Sequence, residues 1–178
     1  NIIDMACSNP AYSGMGCTMV LAVLVGNDLH IGHVGDARAY RFNPKRIALV
    51  TEDHSRVMEM VRAGHLSMEE ARLSPMKNEL TQAVGGHIGI VPEYCHLALN
   101  RQDRILLCSD GLWDMLPDDE IQQIVQNAAC ARKACEELIE AANRSGGEDN
   151  ITAVVIFHQA RGTPRPGDTV PRVGMHRT

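Results

Sequence analysis

The chain has 178 residues, a net charge of −5 and only 3% aromatic residues. That length suffices for one domain with a real core, and the core must come from Val, Leu, Ile, Ala and Met. The acidic balance argues against nucleic acid as a partner, because such a footprint is basic. It fits a carboxylate-rich site that divalent cations balance. The longest strictly apolar run, Met19 to Val25, is far too short to span a membrane, and no stretch reads as a signal peptide. None of the six cysteines forms a C-x-x-C pair, so zinc-ribbon and thioredoxin-like readings fail. A reducing cytoplasm is the simpler setting.

Asn1 to Cys7 reads as the end of a helix stopped by Asn9-Pro10. A chain that begins inside a helix predicts a piece of a longer protein. Gly14-Met15-Gly16 leads into Cys17 to Val25, an apolar run expected as a central strand buried on both faces. Gly26-Asn27-Asp28 is a hairpin turn. Leu29 to Val34, Ala37 to Phe42 and Ile47 to Thr51 follow as strands. Short turns between them predict an antiparallel meander.

From Ser55 the apolar period becomes helical, with Val57, Met60 and Val61 on one face. Ser67 to Glu70 has the form of a capping box and opens a second short helix. This helical excursion covers about residues 54 to 83, and Gly85-Gly86 returns the chain. Tyr94 to Leu99 and Arg104 to Cys108 are two more strands. Helices are expected from Pro117-Asp118 and over Ala131 to Asn143, and Ile151 to Phe157 is the last strand. Residues 159 to 178 are Pro-, Gly- and Arg-rich and read as a tail or linker. The sum is an α+β fold, an antiparallel β core with helices packed on it.

Three aspartates share a local pattern. Asp36 follows a strand and a glycine, Asp110 ends a strand and precedes a glycine, and Asp149 lies between Gly147 and a strand. Strand ends converge at the rim of a compact sheet, so the three carboxylates are candidate ligands of one hard divalent centre. Taken singly, each reads more simply as a turn residue. His30 and His33 fall on opposite faces of a strand and do not make a metal pair. Trp113 is expected as a core anchor beneath Asp110. Arg38 is either a phosphate binder or the partner of a carboxylate, and His54 is a candidate neighbour of the site.

Gly35-Asp36-Ala37-Arg38-Ala39-Tyr40, Ser109-Asp110-Gly111-Leu112-Trp113-Asp114 and Gly147-Glu148-Asp149-Asn150-Ile151-Thr152 occur in that order. Gly14-Met15-Gly16-Cys17-Thr18 precedes them. Thr51-Glu52-Asp53-His54-Ser55 and Asn78-Glu79-Leu80-Thr81-Gln82-Ala83-Val84-Gly85 bracket the excursion. Together these stretches resemble the metal-dependent type-2C Ser/Thr protein phosphatase family, in its bacterial form. The resemblance covers residues 1 to about 158 and implies a β-sandwich flanked by helices, incomplete at the N-terminus. It makes the excursion a flap beside the active site. It implies that Asp110 and Asp149 bind a two-metal Mn²⁺ or Mg²⁺ centre, and that Asp36 belongs to a third, weaker site. It implies a metal-activated water that attacks phosphoserine or phosphothreonine, with Asp114 and Asn150 orienting the ligands. The partners implied are phosphorylated proteins, Ser/Thr kinases among them, acted on by a monomer.

The family's phosphate-gripping arginine and its metal-bridging Asp-Gly motif are not found upstream of Gly14, and Asp4 does not fill the role. These 178 residues alone are therefore expected to be inactive. The rival readings are a non-catalytic regulatory or binding module of the same fold, and a metal hydrolase of small phosphoesters.

Overall fold

The structure is a computed structural model, and it describes residues 2–85 and 90–159. Asn1, Gly86 and the expected tail from 160 onward lie outside the described residues. The chain opens with α1 (Ile2–Ser8) and a short 3-10 turn over Pro10–Tyr12. Strands β1 (Met19–Val25), β2 (Asp28–Val34), β3 (Arg38–Asn43) and β4 (Arg46–Leu49) follow. Next come α2 (Arg56–Arg62) and α3 (Met68–Leu73), then β5 (Glu93–Ala98) and β6 (Arg104–Cys108). The chain continues through α4 (Asp110–Trp113), α5 (Asp118–Asn127) and α6 (Ala131–Arg144) to β7 (Ala153–Phe157).

The four leading strands do not form one meander. They divide between two sheets, of order β1-β2-β5 and β4-β3-β6-β7, with every pairing antiparallel. The chain changes sheet at Gly35–Ala37, between β2 and β3. The period-two alternation of a strand explains how one sheet serves two cores. Ala39 and Ile105 face one way and join Leu29, Ile31 and Leu99 between the sheets. Tyr40, Phe42, Leu106 and Cys108 face the other way and join Leu112, Leu116, Ile121, Val125 and Leu138 under the helices. The fold is α+β, a β-sandwich with α5 and α6 packed on the outer face of its larger sheet. The acidic first turn of α5, Asp118-Asp119-Glu120, complements its helix dipole.

β1 departs from the expected buried central strand. Among the described residues it pairs only with β2 and lies at a sheet edge. Met19, Leu21 and Val23 are about half exposed there. An apolar run says that a strand is apolar; it does not say what covers it.

The excursion after β4 is closed on itself. Arg56 N–H donates to the Glu79 carbonyl and Thr81 N–H to the His54 carbonyl, both at 2.8 Å. Ser55 caps α2, and Ser67 with Glu70 forms the expected capping box on α3. No helix among the described residues is long and apolar enough to cross a membrane.

Candidate metal centre

Antiparallel pairing decides which strand ends meet. Arg38 at the start of β3 lies opposite Cys108 at the end of β6, and Cys108 lies opposite Ala153 at the start of β7. The residues just outside those ends are Asp36, Asp110 and the loop that carries Asp149. One edge of the four-stranded sheet therefore gathers all three predicted aspartates.

Local bonds fix the two loops together. Ser109 Oγ donates to the Asn150 carbonyl at 3.1 Å, and accepts from Thr152 N–H at 3.0 Å. Gly111 is required at this point, since a Cβ there would lie 2.5 Å from the Asn150 carbonyl oxygen. The strand ends at Cys108 as expected, and Asp110 begins α4, a single helical turn not expected there. Its Oδ1 accepts from Gly111 N–H at 2.9 Å, and Asp149 Oδ1 accepts from Asn150 N–H at 2.6 Å. Asp110, Asp114, Glu148, Asp149 and Asn78 line a small cleft of about 150 Å³.

Asp36 is buried and does not line that cleft, yet it feels the same charges. Burial first, and then the Asp110 carboxylate, push its pKa from 3.8 up to about 6. The Asp110 carboxyl is also raised, by burial and by the charges of Asp149 and Asp114, against the Gly111 N–H that favours the ionised form. Neither Asp36, Asp110 nor Asp149 has an ion-pair partner among the described residues. Mutually repelling carboxylates that lack a cation of their own suit a hard divalent ion, whose preferred donors are oxygens. The donor set fits Mg²⁺ or Mn²⁺.

The neighbours resolve the open sequence readings. Arg38 does not face the cleft as a free phosphate binder. It forks onto Asp53, with Nε 2.9 Å from Oδ1 and Nη2 2.7 Å from Oδ2, and stacks 3.6 Å over the Trp113 ring. Trp113 is the buried anchor expected, and its Nε1–H donates to the Asp36 carbonyl at 3.0 Å. Asp114 is held by Lys77, whose Nζ lies 2.7 and 2.6 Å from its two oxygens. Lys77, from the end of the excursion, was missed by the sequence reading, and Asn78 entered it only within the stretch that carries the resemblance, not as a residue of the cleft. No spacing signal links them to a carboxylate more than thirty residues away.

The Protein phosphatase 2C family model matches residues 3–62 and 72–151. The chain belongs to the protein phosphatase 2C family. It is 36% identical over 155 residues to the Serine/threonine phosphatase stp of Listeria welshimeri, covering 87% of this chain and 62% of that protein. The solved structure of the Mycobacterium tuberculosis serine/threonine phosphatase PstP/Ppp superposes with a TM-score of 0.82 at 34% identity, over 89% of this chain and 66% of that one. A PstP catalytic domain solved in complex with two manganese ions superposes at 0.76, with 34% identity over 86% and 64% of the two chains. The chain thus spans about three fifths of the length of the curated relatives it matches.

Proposed function

We propose that these residues form one wall of a binuclear Mn²⁺ or Mg²⁺ centre that hydrolyses phosphoserine and phosphothreonine in proteins. The observation that carries this reading is the convergence of Asp36, Asp110 and Asp149 at one sheet edge without a cation of their own, in a chain of this family. Asp110 and Asp149 are the proposed ligands of the pair of ions, and Asp36 of a third, weaker site. The relative crystallised with two manganese ions supports the pair. Ions held there supply activation of a water and neutralisation of phosphoryl charge.

The chain's own part is to hold oxygens in place. The Ser109–Asn150 and Ser109–Thr152 bonds fix the spacing of the two aspartate loops. The Arg38–Trp113 stack fixes the carbonyl of Asp36. Residues 1–158 are the proposed catalytic part, with 54–83 as its flap. The Lys77–Asp114 pair, which brings the excursion to the cleft, supports the flap assignment. Phosphorylated proteins, Ser/Thr kinases among them, are the proposed partners, met by a monomer in the cytoplasm. Six unpaired cysteines accord with a reducing compartment.

The decisive experiment measures phosphate release from a phosphothreonine peptide with Mn²⁺ by the whole protein, its Asp110→Asn variant, and the 178 residues alone. Turnover by the whole protein only is expected. Equal turnover by Asp110→Asn rejects the site, and turnover by the 178 residues alone rejects the view that they need further ligands. Faster cleavage of small phosphoesters than of the peptide would favour a different substrate class.

A further inference from the structure

His33, His54 and Glu93 bring ligand atoms within 4.8 Å of one another, with both histidines buried. At first sight they form a second metal site. The hydrogen bonds say otherwise. Gly35 N–H donates to His54 Nδ1 at 3.1 Å. A backbone N–H can only donate, so Nδ1 is the bare nitrogen and Nε2 carries the proton. That Nε2 is buried without a hydrogen-bond partner and lies 3.5 Å from a Glu93 oxygen. A cation on Nε2 would move the proton to Nδ1 and set N–H against N–H at Gly35. The tautomer that the fold selects is thus the wrong one for a ligand.

The same bond points to another role. Gly35 is the switch between the two sheets and stands immediately before Asp36. Its φ is +98°, and a Cβ there would fall 2.3 Å from Thr18 Cγ2, so only glycine fits. Glycine leaves the backbone loose at the place where a carboxylate must be aimed. His54 grips it twice. Its Nδ1 takes the Gly35 N–H, and its own backbone N–H donates to the Gly35 carbonyl at 2.8 Å. Trp113 takes the next carbonyl, that of Asp36. The His54 ring is itself held, packed 4.7 Å from the His33 ring, and His33 Nε2 lies 2.7 Å from the Glu52 carbonyl oxygen.

We propose that His54 is a positioning residue for the Asp36 carboxylate, and that it acts through the Nδ1 lone pair on Gly35, not as a metal ligand or a proton donor. The role rests on the reading of Asp36 as a metal ligand. Asparagine can place an oxygen near the position of Nδ1, whereas glutamine places its polar atoms near that of Nε2. A positioning role therefore separates two amides that a merely structural role would not.

The test compares His54→Asn, His54→Gln and His54→Ala, with Asp36→Asn as a control, in the whole protein. Two readouts are taken: Mn²⁺ affinity by electron paramagnetic resonance titration, and hydrogen exchange of the Gly35 amide without metal. His54→Asn is expected to keep the weakest Mn²⁺ site within about twofold, and His54→Ala and His54→Gln to weaken it about tenfold. Gly35 exchange is expected to stay slow in His54→Asn and to quicken in the other two. If Asp36→Asn weakens Mn²⁺ binding and the His54 variants do not, the positioning role is wrong. Should Asp36→Asn leave binding unchanged while Gly35 exchange follows the expected order, the clamp stands and the metal assignment of Asp36 falls. Failure of His54→Ala to fold leaves the Asn–Gln contrast to decide, and equal behaviour of those two rejects the proposal.

Discussion

Asp103 is 1% exposed and Asp36 is 8% exposed, yet only the first has a cation of its own. Arg41 Nη2 lies 2.6 Å from Asp103, and Asp53, equally buried, receives the fork of Arg38. These two carboxylates belong to the architecture and arrive neutralised. At the sheet edge the balance is withheld. Burial and then the Asp110 carboxylate raise the cost of ionising Asp36, and burial with Asp149 and Asp114 raises that of Asp110. Burial alone does not distinguish a structural aspartate from a proposed ligand. What distinguishes them is whether the fold supplies the counter-charge.

The sharpest way to break that contrast is substitution on both sides of it. Asp110→Asn or Asp149→Asn should lower turnover of the whole protein at least about a hundredfold while it stays folded. A smaller loss would move the metal elsewhere. Asp103→Asn should do the reverse. It leaves Arg41 without its partner, and urea unfolding should show a loss of about 3 kcal/mol. Mn²⁺ affinity should not change.

Asp36 adds a pH signature. Its folded pKa of about 6 lies above the ordinary 3.8, so between those values the folded state binds the extra proton. Its contribution to stability is fully present below about pH 3.8 and is lost as pH rises through about 6. Asp36→Asn cannot ionise. Without metal at pH 7 it should be more stable than the wild type, on the order of 2 kcal/mol, and the gap should close toward pH 4. An unchanged gap across that range would mean that Asp36 is not under strain. The smallest effect belongs to Lys77→Met. The pair with Asp114 is partly exposed, so thermal melts should report less than about 1 kcal/mol. A much larger loss would make the pair a structural pin and weaken its reading as a flap contact.

Much of this was legible in the chain. The turn at Gly26-Asn27-Asp28, the capping box at Ser67 and the period of α6 are local signals, and each element formed where its residues pointed. The position of the three aspartates at the strand ends was legible because glycine marks where a sheet presents its rim. Other features are non-local. The run from Cys17 to Val25 reads alike at a sheet centre and at its edge. The turn at Gly35 looks like one more step of a meander, although it carries the chain to a second sheet. The single helical turn at Asp110 is too short for a periodic signal. Lys77 on Asp114, and His54 on Gly35, are contacts made by packing distant segments together. The choice of Arg38 between phosphate and carboxylate is made by packing, which sets Asp53 against its guanidinium.

The most direct test of the metal centre is a Mn²⁺ titration of the whole protein, counted by electron paramagnetic resonance, for wild type, Asp110→Asn and Asp103→Asn. The account predicts that Asp110→Asn loses bound Mn²⁺ and that Asp103→Asn, though less stable, binds as the wild type does. Full Mn²⁺ occupancy in Asp110→Asn would contradict it.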